Sequence, residues 1–295
     1  MHVIKALIPM WVNDVIQSFH VITGGAGFLK KLLITILKIV VFFIGWAVLS
    51  GIIDVPSDNP AIWRFFAELI PLAVMILFTV VFWLIEKKTV NIPIKENSGK
   101  GTLAGIATGI IWIGAASLIL IFSKQLEITS KNEVSFLWLW ILSAFLNVIM
   151  QELLVRGYIY QLLKERYNLP AAVIVATAIF TFMHGGAFEA GVIPVINVVT
   201  MCLFTMALYE SEKTILAPIM AHSIWNIVGS LILGGVSLAD DYPSVLTMTA
   251  SANKLLSGGD YKIEASIVVT VLNVILMGIF YIRYRKTKNL GLQGQ

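Results

Sequence analysis

The sequence predicts an all-α polytopic membrane protein, with about eight transmembrane helices in one bundle. Three observations carry that reading. Of the 295 residues, 58% are hydrophobic and only 13% are charged, whereas ordinary soluble domains carry about 25% charged residues. The mean hydropathy is +0.87. Several apolar runs reach the roughly 20 residues that cross a bilayer as helix.

The net charge of +4 does not point to nucleic acid, because the basic residues flank apolar runs as orientation signals do. No basic patch with interleaved aromatics is present, so no nucleic-acid partner is expected. The single cysteine, Cys202, lies inside an apolar run, which excludes an intrachain disulfide and a cysteine metal cluster. No basic n-region with a small-residue cleavage site opens the chain, so no removed signal peptide is expected. Lipidation motifs are not seen at the ends either.

Taken in order, residues 1–28 are broken by Pro9, Asn13, Asp14 and Gly24-Gly25. Trp11, Val12, Val15, Ile16 and Phe19 recur there at helical spacing, which predicts a short interfacial helix. A first span is expected over about Leu32 to Ile53, with Lys38 snorkelling from inside it. A turn at Asp54–Pro60 leads to a second span, about Phe65 to Ile85. The third runs from about Leu103 to Phe122, where Gly105, Gly109 and Ala115 allow a close helix approach.

The fourth covers about Val134 to Met150, with Trp138 and Trp140 as an interfacial belt. Ile159 to Tyr167 reads as an amphipathic helix whose Lys164, Glu165 and Arg166 face water. The fifth, about Pro170 to Met183, is short, and the sixth runs from about Val192 to Tyr209. Glu210–Lys213 reads as a tight polar turn. The seventh covers about Thr214 to Leu233, residues 234–262 form a loop, and the eighth runs from about Ile263 to Ile282 into a basic tail.

Eight spans put both termini on one side, where most loop lysines and arginines also fall. The positive-inside rule makes that side cytoplasmic, in what is expected to be the plasma membrane. No internal repeat is visible, which weighs against the common transporter architectures.

The chemistry gathers around Gln151-Glu152-Leu153-Leu154-Val155-Arg156. Glu152 and Arg156 are four apart and share one helical face. Charges at such depth are expensive and face a bundle interior or a water-filled cavity. Two later stretches, Phe180–His184 and His222–Asn226, set further polar groups inside apolar sequence. Histidine exchanges protons near neutral pH, and His222 with Asn226 one turn on could present two donors to an oxyanion. Phe180 and Trp225 read as packing residues, and Asn197 and Asn273 as interhelical hydrogen-bonding residues.

The ordered set Q-E-x-x-x-R, F-x-x-x-H and H-x-x-x-N resembles the CPBP family, which comprises CAAX-type prenyl endopeptidases and bacteriocin-processing or self-immunity enzymes. The resemblance covers about residues 134–235 and implies an intramembrane, glutamate-dependent endopeptidase with an eight-helix fold. It implies that His184 helps to activate water, that His222 and Asn226 stabilise the oxyanion, and that Glu152 and Arg156 support them. Gln151 stands where the family pattern has the water-activating glutamate. The amide has nearly the same shape, so the cavity is expected to persist while the carboxylate base is absent.

No cofactor is expected, since the helix-borne zinc motif H-E-x-x-H is missing. A zinc, if present, would have to use Glu152, His184 and His222. Three regions follow: residues 1–133 with the interfacial segment and first three spans, 134–235 as the catalytic core, and 236–295 with the loop, last span and basic tail. The expected function is cleavage of a peptide or membrane-protein substrate within the bilayer. The alternative is a catalytically impaired relative that binds peptides as a bacteriocin-immunity or signalling protein.

Overall fold

A computed structural model describes residues 25–55 and 57–293. The expected interfacial helix within residues 1–28 lies almost wholly outside the described residues. The chain is helical throughout its apolar runs. In order come α1 (Gly25–Ile52), α2 (Pro60–Ile85), α3 (Ser98–Phe122), β1 (Leu126–Lys131), α4 (Leu137–Arg156) and α5 (Tyr158–Arg166). They are followed by α6 (Leu169–Met183), α7 (Gly185–Ala190), α8 (Val192–Glu212) and α9 (Leu216–Asn226). A π-helical turn (Ile227–Ile232), β2 (Leu246–Ala250), α10 (Lys254–Ser257), a 3-10 segment (Gly259–Ala265) and α11 (Ile267–Gln293) complete the chain.

Among the described residues, six helices are long and apolar enough to cross a membrane: Gly27–Ile52, Pro60–Ile85, Ser98–Phe122, Leu137–Arg166, Val192–Glu212 and Gly259–Lys288. The expected fifth and seventh spans are the shorter apolar helices Leu169–Met183 and Leu216–Ile232. The 15 residues of α6 reach about 22 Å at 1.5 Å per residue, short of a hydrocarbon core of about 30 Å. Local chemistry explains several ends. Asn59 caps α2 by accepting from Ala61 N at 3.0 Å, and Asn168 caps α6 by accepting from Ala171 N at 2.8 Å. Both helices carry proline in the first turn, where its missing N–H costs nothing.

Helix pairs α8–α11, α3–α9 and α2–α4 form the main packing seams. The α3–α9 seam is close for the reason the glycines suggest. A Cβ at Gly105 would collide with the carbonyl oxygen of Ala217, and one at Gly109 would lie 2.8 Å from Ile224 Cβ. Trp112 stacks on Trp225 across the same seam, with ring centroids 3.8 Å apart. Interhelical hydrogen bonds from Asn197 and Asn273 join α8 to the α11 region, as expected: Asn197 donates to the Ser266 carbonyl at 2.9 Å and Asn273 to Thr200 Oγ1 at 3.0 Å.

The structure corrects several expectations. Residues 234–262 are not a plain loop: β2 pairs antiparallel with β1, Leu126 opposite Ala250 and Lys131 opposite Leu246, with an irregularity around Thr129. Helix α8 continues through Glu212, and Glu210, Ser211 and Glu212 are buried, so the polar turn shrinks to Lys213. Lys38, expected to snorkel, reaches the end of α2 and donates to Glu86 Oε1 at 2.5 Å. Lys164 and Arg166 are not merely solvated. They bind Glu210 at 2.6 Å and Glu86 at 2.8 Å, leaving Glu165 as the exposed member of the trio. For Lys38, Lys164 and Arg166 the partner is a buried carboxylate distant in sequence, which recruits the cation because an unpaired charge there would be costly.

Candidate active site

The Gln151–Arg156 stretch ends α4, and Gly157 breaks the helix immediately after Arg156. Its backbone lies so close to the Leu153 carbonyl that a Cβ would collide with it. The break lets α5 leave at a new angle while Glu152 and Arg156 stay on the inner face. Both side chains are fully buried. Arg156 Nη1 donates to Glu152 Oε2 at 2.5 Å, and Nη2 donates to the Cys202 carbonyl at 3.2 Å and to Thr205 Oγ1. The guanidinium thus fastens α4 to α8.

The other carboxylate oxygen, Glu152 Oε1, lies 2.9 Å from Nδ1 of His222 on α9. Asn226 Nδ2 lies 3.3 Å from His222 Nε2. Glu152 accepts on both oxygens, so His222 donates through Nδ1–H and its Nε2 takes the Asn226 amide. His184 sits in the α6–α7 junction, and its Nδ1 donates to the Phe180 carbonyl at 2.7 Å. That leaves Nε2 as the accepting nitrogen of a neutral ring. Desolvation pushes the His184 pKa below its ordinary value, although the Phe180 carbonyl works against the shift. Phe180 is buried and packs on both histidines, with ring centroids 4.2 Å from His184 and 6.1 Å from His222.

Gln151, His184, His222 and Asn226 line one cavity of about 500 Å³, reached by α3, α4, α6, α7, α8, α9, the loop after the π turn, the 3-10 segment and α11. Glu152 and Arg156 do not line it. They stand behind its wall and orient His222, so of the six residues singled out in the sequence, four face the cavity and two support them.

Gln151 is tied into a chain that the sequence reading missed. Its Nε2 donates to Asn147 Oδ1 at 2.5 Å, and Asn147 Nδ2 donates to Glu68 Oε2 at 2.7 Å. Arg64 and Tyr242 complete Glu68 at 3.1 and 3.4 Å. Gln151 Oε1 is buried and has no hydrogen-bond partner among the described residues. Two signals were available: Glu68 is a carboxylate inside the second apolar run, and Asn147 lies one turn before Gln151.

The residues do not fit a metal. Both Glu152 oxygens are taken by Arg156 and His222, and both His222 nitrogens by Glu152 and Asn226. Among the described residues, no three His, Cys, Asp or Glu side chains are grouped to hold an ion. No chemical step is therefore routed through zinc.

Fold and cavity together define an integral membrane protein of the all-α polytopic class, with a polar cavity inside its helix bundle. Residues 133–228 match the family described as type II CAAX prenyl endopeptidase, Rce1-like, in agreement with the resemblance carried by the three motifs. No curated protein and no solved structure matches the chain.

Proposed function

We propose that this protein is an intramembrane endopeptidase, cleaving a peptide or membrane-protein substrate with water activated in the cavity. The observation that carries the reading is the convergence of Gln151, His184, His222 and Asn226 on one cavity. His184 Nε2 accepts a proton from the attacking water, and the unpartnered Gln151 Oε1 accepts the water's second hydrogen and orients it. The water oxygen bonds to the scissile carbonyl carbon. The resulting oxyanion is met by Asn226 Nδ2–H, the amide that His222 holds in place. The C–N bond then breaks, and the proton held by His184 goes to the leaving amine, so the balance is that of simple hydrolysis.

The substrate, the bilayer in which it is met and the independence from metal are part of this proposal. A second reading is a peptide-binding relative with little turnover. It is favoured by the Gln151–Asn147–Glu68 chain, which accommodates an amide at position 151.

Purified protein in lipid nanodiscs, incubated with a peptide library, separates the two. Cleavage that drops about 10²–10⁴-fold in His184→Ala, the usual range for a lost general base, supports the endopeptidase. Peptide binding without cleavage in the parent supports the silent relative.

A further inference from the structure

We infer that the cavity selects a peptide segment bearing a cationic side chain, lysine or arginine. The inference rests on the reading of the cavity as a peptide site and names what that site accepts. Among the described residues the lining contains the carboxylates of Glu189, Asp240 and Glu264 and no lysine or arginine. Glu189 and Asp240 are exposed, while Glu264 is partly buried deeper in. None of the three forms an ion pair among the described residues. Glu264 is hydrogen-bonded to Ser237, and Lys262 acts on it electrostatically without lining the cavity.

A second observation, independent of the carboxylates, points to the same ligand chemistry. Asn273 lines the cavity and is fully buried. Its amide nitrogen is satisfied by the Asn197 carbonyl at 3.2 Å and by Thr200 Oγ1 at 3.0 Å, which fixes the orientation of the amide. Among the described residues its Oδ1 has no donor, and neither has Gln151 Oε1 on another wall. Buried acceptors without donors are costly. The cavity therefore has a surplus of acceptors and negative charge. A lysine brings three donors and an arginine five, with the complementary charge. A peptide recognised through its own carboxylate would find no cation in the lining to receive it.

The test is binding of labelled peptides of one backbone to the protein in uncharged-lipid nanodiscs. The peptides carry lysine, acetyl-lysine or glutamate in turn at each position. Lysine should bind at least about tenfold more tightly than acetyl-lysine at one or two positions, as expected for charge-assisted contacts. Glu264→Gln should remove most of that preference, with Asp240→Asn as the exposed counterpart that leaves the interior untouched. Glu127→Gln, on exposed β1, should leave it unchanged, which separates the cavity from general surface attraction. Equal binding of lysine and acetyl-lysine peptides would overturn the cationic selection while leaving the peptide-site reading standing. If no peptide of any charge binds or is cleaved, the peptide-site reading falls and the selection with it.

Discussion

His222 Nδ1 lies 2.9 Å from Glu152 Oε1, and this contact assigns the roles of both groups. The carboxylate is consumed by holding the imidazole and the Arg156 guanidinium, so it is not free to meet water. The imidazole is left with Nε2, shared with Asn226, as its one variable position. The adjacent acidic residue of the motif is thus a positioning group, and Gln151 is the polar residue of that stretch that lines the cavity, beside the apolar Leu154 and Val155.

Removing Arg156 tests that support. Arg156→Ala would leave the Glu152 carboxylate buried with only His222 for a partner, and such losses cost about 3–5 kcal/mol. A fall in melting temperature and in any peptidase activity is expected. Arg156→Lys should recover little, because one ammonium cannot reproduce a fork that reaches Glu152, Cys202 and Thr205 together. Unchanged melting in Arg156→Ala would show that the pair is solvated.

Gln151→Glu carries a sharper expectation. A carboxylate would face Asn147 Oδ1, acceptor against acceptor, and the Asn147 amide would have to turn. Turning places its oxygen against Glu68 and costs that carboxylate a donor. Activity should rise at least about tenfold if a stronger base is gained. Stability should fall by about 1–3 kcal/mol, the cost of a buried polar group left unsatisfied. Adding Glu68→Gln supplies a donor to the turned amide and should restore part of the melting temperature. No stability change in the single variant would mean the chain of amides does not sense position 151.

Glu86 supplies the pH dependence. Burial by itself would raise its pKa, but hydrogen bonds from Lys38, Arg166 and Tyr158 outweigh it and hold the carboxyl below its ordinary value. A depressed carboxylate stabilises the fold above its unfolded pKa of about 4.3 and loses that contribution as pH falls through the folded value. Glu86→Gln should melt lower than the parent at pH 6. The gap should narrow below about pH 4. A gap constant down to pH 3 would exclude the charge as its source.

Orientation can be tested through loop charge. Reporter fusions after Lys88 and after Tyr167 should both read as cytoplasmic, and one after Gly258 as the opposite side. An outside signal at Lys88 would reverse the assignment.

Hydropathy located the membrane helices because bilayer length imposes a coarse, strong signal, and the three motifs were legible because charges inside apolar runs stand out. What escaped was set by partners distant in sequence. Thr205 and the Cys202 carbonyl receive Arg156 from another helix, and Glu68 reaches Gln151 only through Asn147. Lys164 and Arg166 looked solvated because Glu210 and Glu86, which hold them, lie 46 and 80 positions away. The β1–β2 pairing was invisible for the same reason: neither short strand alternates cleanly enough to declare itself without the other.

That strand pairing bears on how the cavity is entered. Residues 236–240, which line it, run between two anchored points. On one side Gly235 N and Val236 N donate to the Gly229 carbonyl at 2.8 and 3.1 Å, and on the other Val245 N donates to Leu231 O at 2.8 Å. Beyond Val245 the chain is stitched to β1. A segment pinned at both ends behaves as a fixed door frame rather than a hinged door. Amide hydrogens at Gly235 and Val245 should exchange slowly with solvent, and a substrate would have to thread past a standing threshold.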